Sequence, residues 1–74
     1  MTNAEKLYDE TTVRDIECWL EACEGVDTER LTPWEQSFVG SLREQFDEKT
    51  DAGSEKPLTG AQLLKLRQIY DKVM

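Results

Sequence analysis

The chain has 74 residues and carries sixteen Asp and Glu against nine Lys and Arg, so its net charge is −7, and it contains no histidine. This length allows one domain with a small hydrophobic core, and the charge disfavours direct binding to nucleic acid or to an anionic membrane. No segment approaches the roughly 20 apolar residues of a membrane span, and residues 1–6 lack the basic and apolar regions of a signal peptide, which indicates a cytoplasmic location.

Helical signals follow one another along the chain, and no segment alternates as a strand does. Asn3 to Tyr8 is predicted to form a short extra turn that places Leu7 and Tyr8 on the core. Thr12 then starts a helix that runs to about Glu24, because a threonine N-cap with an acid three residues later forms a capping box. The apolar residues of this helix share one face: Val13, Ile16, Trp19, Leu20 and Cys23.

Two further helices begin with a repeated signal, Leu-Thr-x-x-Glu/Gln, at Leu31 and at Leu58. The first is predicted over about 33–48 and the second over about 60–73, since apolar residues recur at helical spacing after each start. The residues predicted to face the core are Trp34, Phe38, Val39, Leu42 and Phe46 in the first of these helices, and Leu63, Leu66, Ile69, Tyr70 and Val73 in the second.

The segment between these helices, about 49–57, is predicted to be a flexible loop, because Gly53, Ser54 and Pro57 interrupt a helix and no apolar residue there needs burial. The predicted fold is therefore all-α. It is a single domain over residues 1–74, built as a small antiparallel three-helix bundle with the extra N-terminal turn.

The first predicted helix carries an acidic stripe. At 100° per residue, Glu17, Glu21 and Glu24 fall within about 60° of one another, beside the apolar face. One interpretation is an ordinary solvated surface, and the other is a patch that binds a basic partner. The i,i+4 pairs Glu17–Glu21 and Glu44–Glu48 support the second, since like charges at this spacing destabilise a helix. The candidate partner-binding residues are Glu17, Glu21, Glu24, Asp27, Glu29, Glu44, Asp47 and Glu48.

No metal, cofactor or catalytic site is predicted. Asp47 to Leu58 has the length of a calcium loop, but Ala52 and Leu58 replace the required glycine and glutamate. Without histidine or a Cys-x-x-Cys motif there is no zinc signal. General acid–base catalysis lacks its usual histidine, and no Gly-rich phosphate loop is present. We therefore expect a protein without enzyme activity.

The two cysteines are predicted to be free thiols. Cys18 and Cys23 lie five positions apart in one helix, which separates their Cα atoms by roughly 8–9 Å, beyond the reach of a disulfide. Cys18 falls opposite the apolar face and is expected to be exposed. Arg14 is the only neighbouring base that could favour a thiolate there, and the surrounding acids oppose it.

Three further features each have two interpretations. Trp34 is predicted in the core, with partial exposure at an interface as the alternative. Leu64 falls about 100° from Leu63 and is expected to be exposed, where it could form a dimer contact. The bases of the last helix complement its dipole or, alternatively, meet an acidic surface on a second copy: Lys65, Arg67 and Lys72.

Residues 31–45 (LTPWEQSFVGSLREQ) and 58–70 (LTGAQLLKLRQIY) together resemble a helical pair found in small phage and prophage proteins. The resemblance covers about the last 44 residues, and it assigns no activity to particular positions. It implies a phage context. Small acidic phage proteins are often inhibitors of host machinery, with anti-CRISPR proteins and DNA mimics among them.

We therefore expect a phage-encoded inhibitor in the cytoplasm of the bacterial host. Its carboxylates would occupy a basic surface on a host protein or nucleoprotein complex, without direct binding to nucleic acid or membrane. One alternative is an interaction module accessory to phage DNA replication or recombination that docks through Trp34 and Leu64. Another is a homodimer or larger homo-oligomer in which the basic last helix meets the acidic first helix of a neighbour.

Overall fold

The computed structural model describes residues 3–25 and 30–74. These residues form four α-helices: α1 over Asn3–Glu10, α2 over Val13–Glu24, α3 over Pro33–Asp51 and α4 over Gly60–Val73. No β-strand occurs in the described part of the chain, so the all-α prediction is confirmed. The three-helix prediction is corrected, because the N-terminal segment forms a complete helix of 8 residues rather than one extra turn.

Capping boxes start the last three helices, as the sequence predicts. The Oγ1 atoms of Thr12, Thr32 and Thr59 each accept a hydrogen bond from the N–H three residues later. The side chain at that third position accepts in return from the N–H of the threonine. Each box satisfies two backbone donors that a helix start leaves unpaired, and it fixes where the helix begins and hence which residues face the core.

The helix α4 is the centre of the bundle and packs against α1, α2 and α3. Its fully buried residues Leu63, Leu66 and Ile69 lie at helical spacing on the inner face. The buried hydrophobic residues are Ile16, Trp19, Leu20, Cys23, Leu31, Val39, Leu42, Phe46, Leu58, Leu63, Leu66, Ile69 and Val73.

Contacts with α4 and the preceding loop hold α1 in place. A Cβ atom built on Gly60 would lie 2.7 Å from the carbonyl oxygen of Ala4, so the two helices approach too closely there for any larger residue. The Lys56 ammonium donates to the carbonyl oxygen of Tyr8 at 2.5 Å, at the C-terminal end of α1. Leu7 is half-buried against the core as predicted, whereas Tyr8 is exposed, which corrects its predicted core position.

The predicted loop at about 49–57 begins later, because α3 continues to Asp51. The helix then ends in a turn in which Gly53 has a φ of 85°. The N–H groups of Gly53 and Ser54 donate to the carbonyl oxygens of Thr50 and Lys49, the pattern that commonly closes a helix at a glycine. Pro57 is also buried, contrary to the expectation that nothing apolar is buried in this segment.

Candidate functional site

Six of the eight predicted partner-binding residues lie in the described part of the chain, and all six are exposed. We call them the acidic surface: Glu17, Glu21 and Glu24 on α2, with Glu44, Asp47 and Glu48 on α3. Asp27 and Glu29 lie outside the described residues. Local folding explains the exposure, because burial of one face of each helix leaves these positions on the outer sides.

The carboxylates of α2 form one stripe because the helix register is fixed at its start. The Thr12–Asp15 capping box begins the helix, and Ile16 and Leu20 are buried four residues apart. Glu17 and Glu21 follow these buried residues by one position each, about 100° around the helix. The stripe therefore runs along one flank of α2 rather than on the side opposite the core.

Arg43 on α3 joins the acidic residues of the two helices. Its Nε lies 3.8 Å from Oε1 of Glu24 on α2 and 3.6 Å from Oδ1 of Asp47 on α3. Its guanidinium also lies 5.7 Å from the centre of the Phe46 ring. The fold thus places the C-terminal end of the α2 stripe beside the acidic part of α3. Arg43 is not among the predicted site residues, although its i,i+4 spacing to Asp47 is a local signal in the sequence.

The other four members of the acidic surface have no ion-pair partner among the residues that the structure describes: Glu17, Glu21, Glu44 and Glu48. These four carboxylates do not converge on one position of the surface. Glu48 lies about 100° around α3 from Asp47, on the side away from α2. The acidic surface is therefore a band that crosses from α2 onto the outer side of α3.

The bases of α4 make contacts within the chain. The Lys72 ammonium lies 2.7 Å from Glu35 on α3. The Arg67 guanidinium lies 5.2 Å from the ring centre of Trp19 and 3.1 Å from Asp71. These contacts give Lys72 and Arg67 each an acidic partner within the same chain.

Trp34 is 58% exposed, so its predicted core position is wrong and the alternative of partial exposure is correct. It lies about 110° around α3 from the centre of the buried face. It is also the second residue of α3, in the first turn of the helix. Its ring stacks on that of Phe38, with centres 5.1 Å apart and planes 11° apart. The Lys65 ammonium lies 5.2 Å from the Trp34 ring centre.

Leu64 is half-buried rather than exposed. It lines a shallow depression between α1 and α4 together with Leu7 and Lys6. Helix α1, which the sequence suggested only as a turn, covers this flank of α4. A docking role for Leu64 is therefore less well supported than one for Trp34.

The two thiols of the chain differ in their surroundings. Cys18 is exposed and Cys23 is buried, and both are free, as predicted. Burial raises the pKa of Cys23 to about 11, and the nearby charges of Glu24 and Glu35 add to that effect. The thiolate of Cys23 is therefore disfavoured at neutral pH. Within residues 3–25 and 30–74, no group of three or more Cys, Asp or Glu side chains is arranged to hold a metal ion.

Comparison with known proteins adds no assignment. No protein-family model matches this chain, and neither a curated protein nor a solved structure matches it. None of the described helices has both the length and the apolar composition needed to cross a membrane.

Proposed function

We propose that this protein is a phage-encoded, anti-CRISPR-like inhibitor without enzyme activity, acting in the cytoplasm of the bacterial host. It binds a basic, nucleic-acid-binding surface of a host protein or nucleoprotein complex. The observation that carries this proposal is the acidic surface, in which six exposed carboxylates and the single Arg43 give a net charge of −5. Four of those carboxylates have no ion-pair partner in the described part of the chain, which leaves them free to meet bases on a partner.

The mechanism is charge complementarity followed by steric block. Carboxylates on capped helices are held in a fixed array, so they can take the positions that phosphates would occupy in a basic groove. The field of a chain at −7 speeds encounter with a positive surface, and salt screens that attraction over a distance of about 10 Å at 0.1 M. Binding of this kind is strongly salt-dependent, and nucleic acid itself is repelled.

The proposal is tested by capture of partners from a bacterial lysate on the tagged protein, with washes at low and high salt and identification by mass spectrometry. A complex that elutes with salt is then assayed for its own nucleic-acid binding with the protein present and absent. We expect nucleic acid and this protein to compete for the complex. Simultaneous binding of both would contradict the proposal.

A matched pair of variants separates the acidic surface from the overall charge. Glu17→Lys with Glu21→Lys reverses two unpaired carboxylates and leaves the contacts of Arg43 intact. Asp9→Lys with Glu55→Lys reverses two exposed acids elsewhere, on α1 and in the loop before α4. Each acid-to-lysine substitution raises the net charge by two, so both double variants change from −7 to −3. Only the first pair is expected to lose competition with nucleic acid.

A second function is favoured by the exposure of Trp34 at 58%. In this alternative, the protein is an interaction module accessory to phage DNA replication or recombination, and it docks through the stacked rings of Trp34 and Phe38. Exposed tryptophans are frequent sources of binding energy at interfaces. Capture would then resist high salt, and Trp34→Ala would abolish it while Glu17→Lys with Glu21→Lys would not.

A further inference from the structure

Helix α1 is attached to the rest of the fold differently from the other three helices. Each of α2, α3 and α4 buries four residues, whereas none of the side chains of Asn3–Glu10 is buried. Leu7, which is half-buried, is the α1 residue that packs against the core. Isolated helices shorter than roughly 12–15 residues are marginal in water, and α1 has 8 residues. Contacts with neighbouring elements therefore determine whether α1 stays formed.

A lysine from outside α1 stabilises its C-terminal end. The last turn carries Asp9 and Glu10 and no base, although the negative end of the helix dipole repels acids. Lys56, in the loop between α3 and α4, compensates for this. Its ammonium donates to the carbonyl oxygens of Tyr8 and Asp9, at 2.5 and 3.3 Å, and lies 5.1 Å from the centre of the Tyr8 ring. Lys56 thus acts as a C-terminal cap for a helix that has no base of its own there.

The other contacts of α1 lie along one flank of α4. Gly60, Leu64 and Arg67 follow one another on this flank at spacings of four and three residues. The backbone at Gly60 meets the Ala4 carbonyl group, and Leu64 and Arg67 line a depression together with Leu7. Leu64 is half-buried beside α1. We call these three α4 residues the Leu64 flank.

The contact between α1 and this flank is narrow, because a depression lies on each side of α1. One depression is lined by Tyr8 of α1 and Ala61 of α4, and the other by Leu7 and Leu64. The hydrophobic core itself lies in the other elements, since its buried members belong to α2, α3, α4 and the segments before α3 and α4. Displacement of α1 would therefore leave the core and the three capping boxes in place.

We propose that α1 is a strap held closed by Lys56, which opens as a unit while the other three helices stay folded and thereby uncovers the Leu64 flank. Local opening of this kind occurs where few apolar side chains are buried. The strap goes beyond the proposed function and involves no residue of the acidic surface. Docking through Leu64, one of the alternatives from the sequence, would require the open state, so the closed strap is an autoinhibitory contact for that surface.

Hydrogen exchange of the full chain, followed by NMR, tests whether α1 opens by itself. The N–H of Thr11 donates to the carbonyl oxygen of Leu7 at 2.9 Å, and Thr11 is buried, so its exchange requires the last turn of α1 to open. Leu66 on α4 is fully buried and reports global unfolding. We expect the protection factor of Thr11 to be at least about tenfold lower than that of Leu66 and to change little in dilute urea. Equal protection with equal urea dependence would overturn the proposal.

A matched pair of variants tests the role of Lys56. Lys56→Met removes its charge and its hydrogen bonds, and Lys49→Met removes one charge from an exposed position on α3. Lys56→Met should lower the protection of Thr11 by at least about fivefold and leave that of Leu66 unchanged, whereas Lys49→Met should change neither. Equal effects of the two variants on Thr11, or an equal loss of protection at Thr11 and Leu66, would show that Lys56 does not hold a strap.

A cysteine placed on the flank tests whether opening uncovers it. In a Cys18→Ser background, where Cys23 is buried, Leu64→Cys supplies the reporter thiol for DTNB. Addition of Lys56→Met should speed labelling by about the factor by which it lowers the protection of Thr11, and addition of Lys49→Met should not. An unchanged labelling rate with Lys56→Met would overturn the proposal that α1 covers the Leu64 flank.

Discussion

Lys72 on α4 and Glu35 on α3 form an ion pair in which Nζ lies 2.7 Å from Oε1. The Glu35 side chain is only 11% exposed, whereas that of Lys72 is 48% exposed. The same Oε1 accepts the N–H of Thr32 at 2.9 Å in the capping box of α3. One carboxylate thus ties the start of α3 to the last turn of α4.

This ion pair predicts a pH dependence of stability. The hydrogen bond from Lys72, followed by that from Thr32, lowers the pKa of Glu35 to about 2 from an ordinary value of 4.5. A carboxyl whose pKa is lower in the folded state stabilises the fold above its unfolded pKa, and this contribution is lost as the pH falls from about 4.5 to about 2. We expect the midpoint of urea unfolding to fall over that window.

The variant Glu35→Gln isolates this contribution, because glutamine can keep the capping box but cannot hold the charge. Its urea midpoint should be lower than that of the wild type at pH 7 and should change less between pH 4.5 and pH 2.5. Glu44→Gln, which removes an exposed and unpaired acid, serves as the control. Equal pH dependence in the wild type and Glu35→Gln would show that the pair does not have this role.

Two glycines should respond in opposite ways to the same substitution. Gly40 lies inside α3 with open space around a Cβ atom, so Gly40→Ala should stabilise the protein by about 1 kcal/mol through helix propensity. At Gly60 a Cβ atom would lie 2.7 Å from the Ala4 carbonyl oxygen, which is backbone and cannot move without shifting α1. Gly60→Ala should therefore destabilise the protein.

Chemical unfolding of the two variants measures both effects. Circular dichroism of Gly60→Ala should also lose part of the helical signal if α1 is displaced. Stabilisation by both substitutions would mean that α1 does not pack against the start of α4 as described.

The two thiols should differ in reactivity. Exposed Cys18 should react with a thiol reagent such as DTNB in the native protein, whereas Cys23, which is buried and has its pKa raised to about 11, should react only after unfolding. One thiol per chain is therefore expected in buffer and two in denaturant. Cys18→Ser should leave none reactive in the native state. Fast reaction of both thiols in buffer would contradict the burial of Cys23.

Local signals predicted most of the helix starts. Thr12, Thr32 and Thr59 form their capping boxes from residues only three positions apart, so the sequence contains the whole motif. The end of α3 is not predicted correctly. Gly53 and Ser54 are typical loop residues in the sequence, but in the structure their N–H groups donate to the carbonyl oxygens of Thr50 and Lys49, which closes the helix later than predicted.

Tertiary contacts explain what sequence analysis missed. Helix α1 packs against α4 near Gly60, and no signal within Asn3–Glu10 predicts that contact. Trp34 continues the apolar spacing of α3. Because Val39 and Leu42 face the core, however, Trp34 lies at the edge of the buried face and is exposed.

At the candidate site, the stripe on α2 followed from helical spacing alone. Its connection to α3 through Arg43 required the folded arrangement.

The most direct test of the proposed function is the affinity for the captured partner, measured by titration at about 50 mM and about 300 mM salt. The wild type should bind at least tenfold more weakly at the higher salt. At low salt, Glu17→Lys with Glu21→Lys should lose at least tenfold in affinity, while Asp9→Lys with Glu55→Lys should stay within about threefold of the wild type. Equal, salt-independent affinities for all three proteins would contradict binding through the acidic surface.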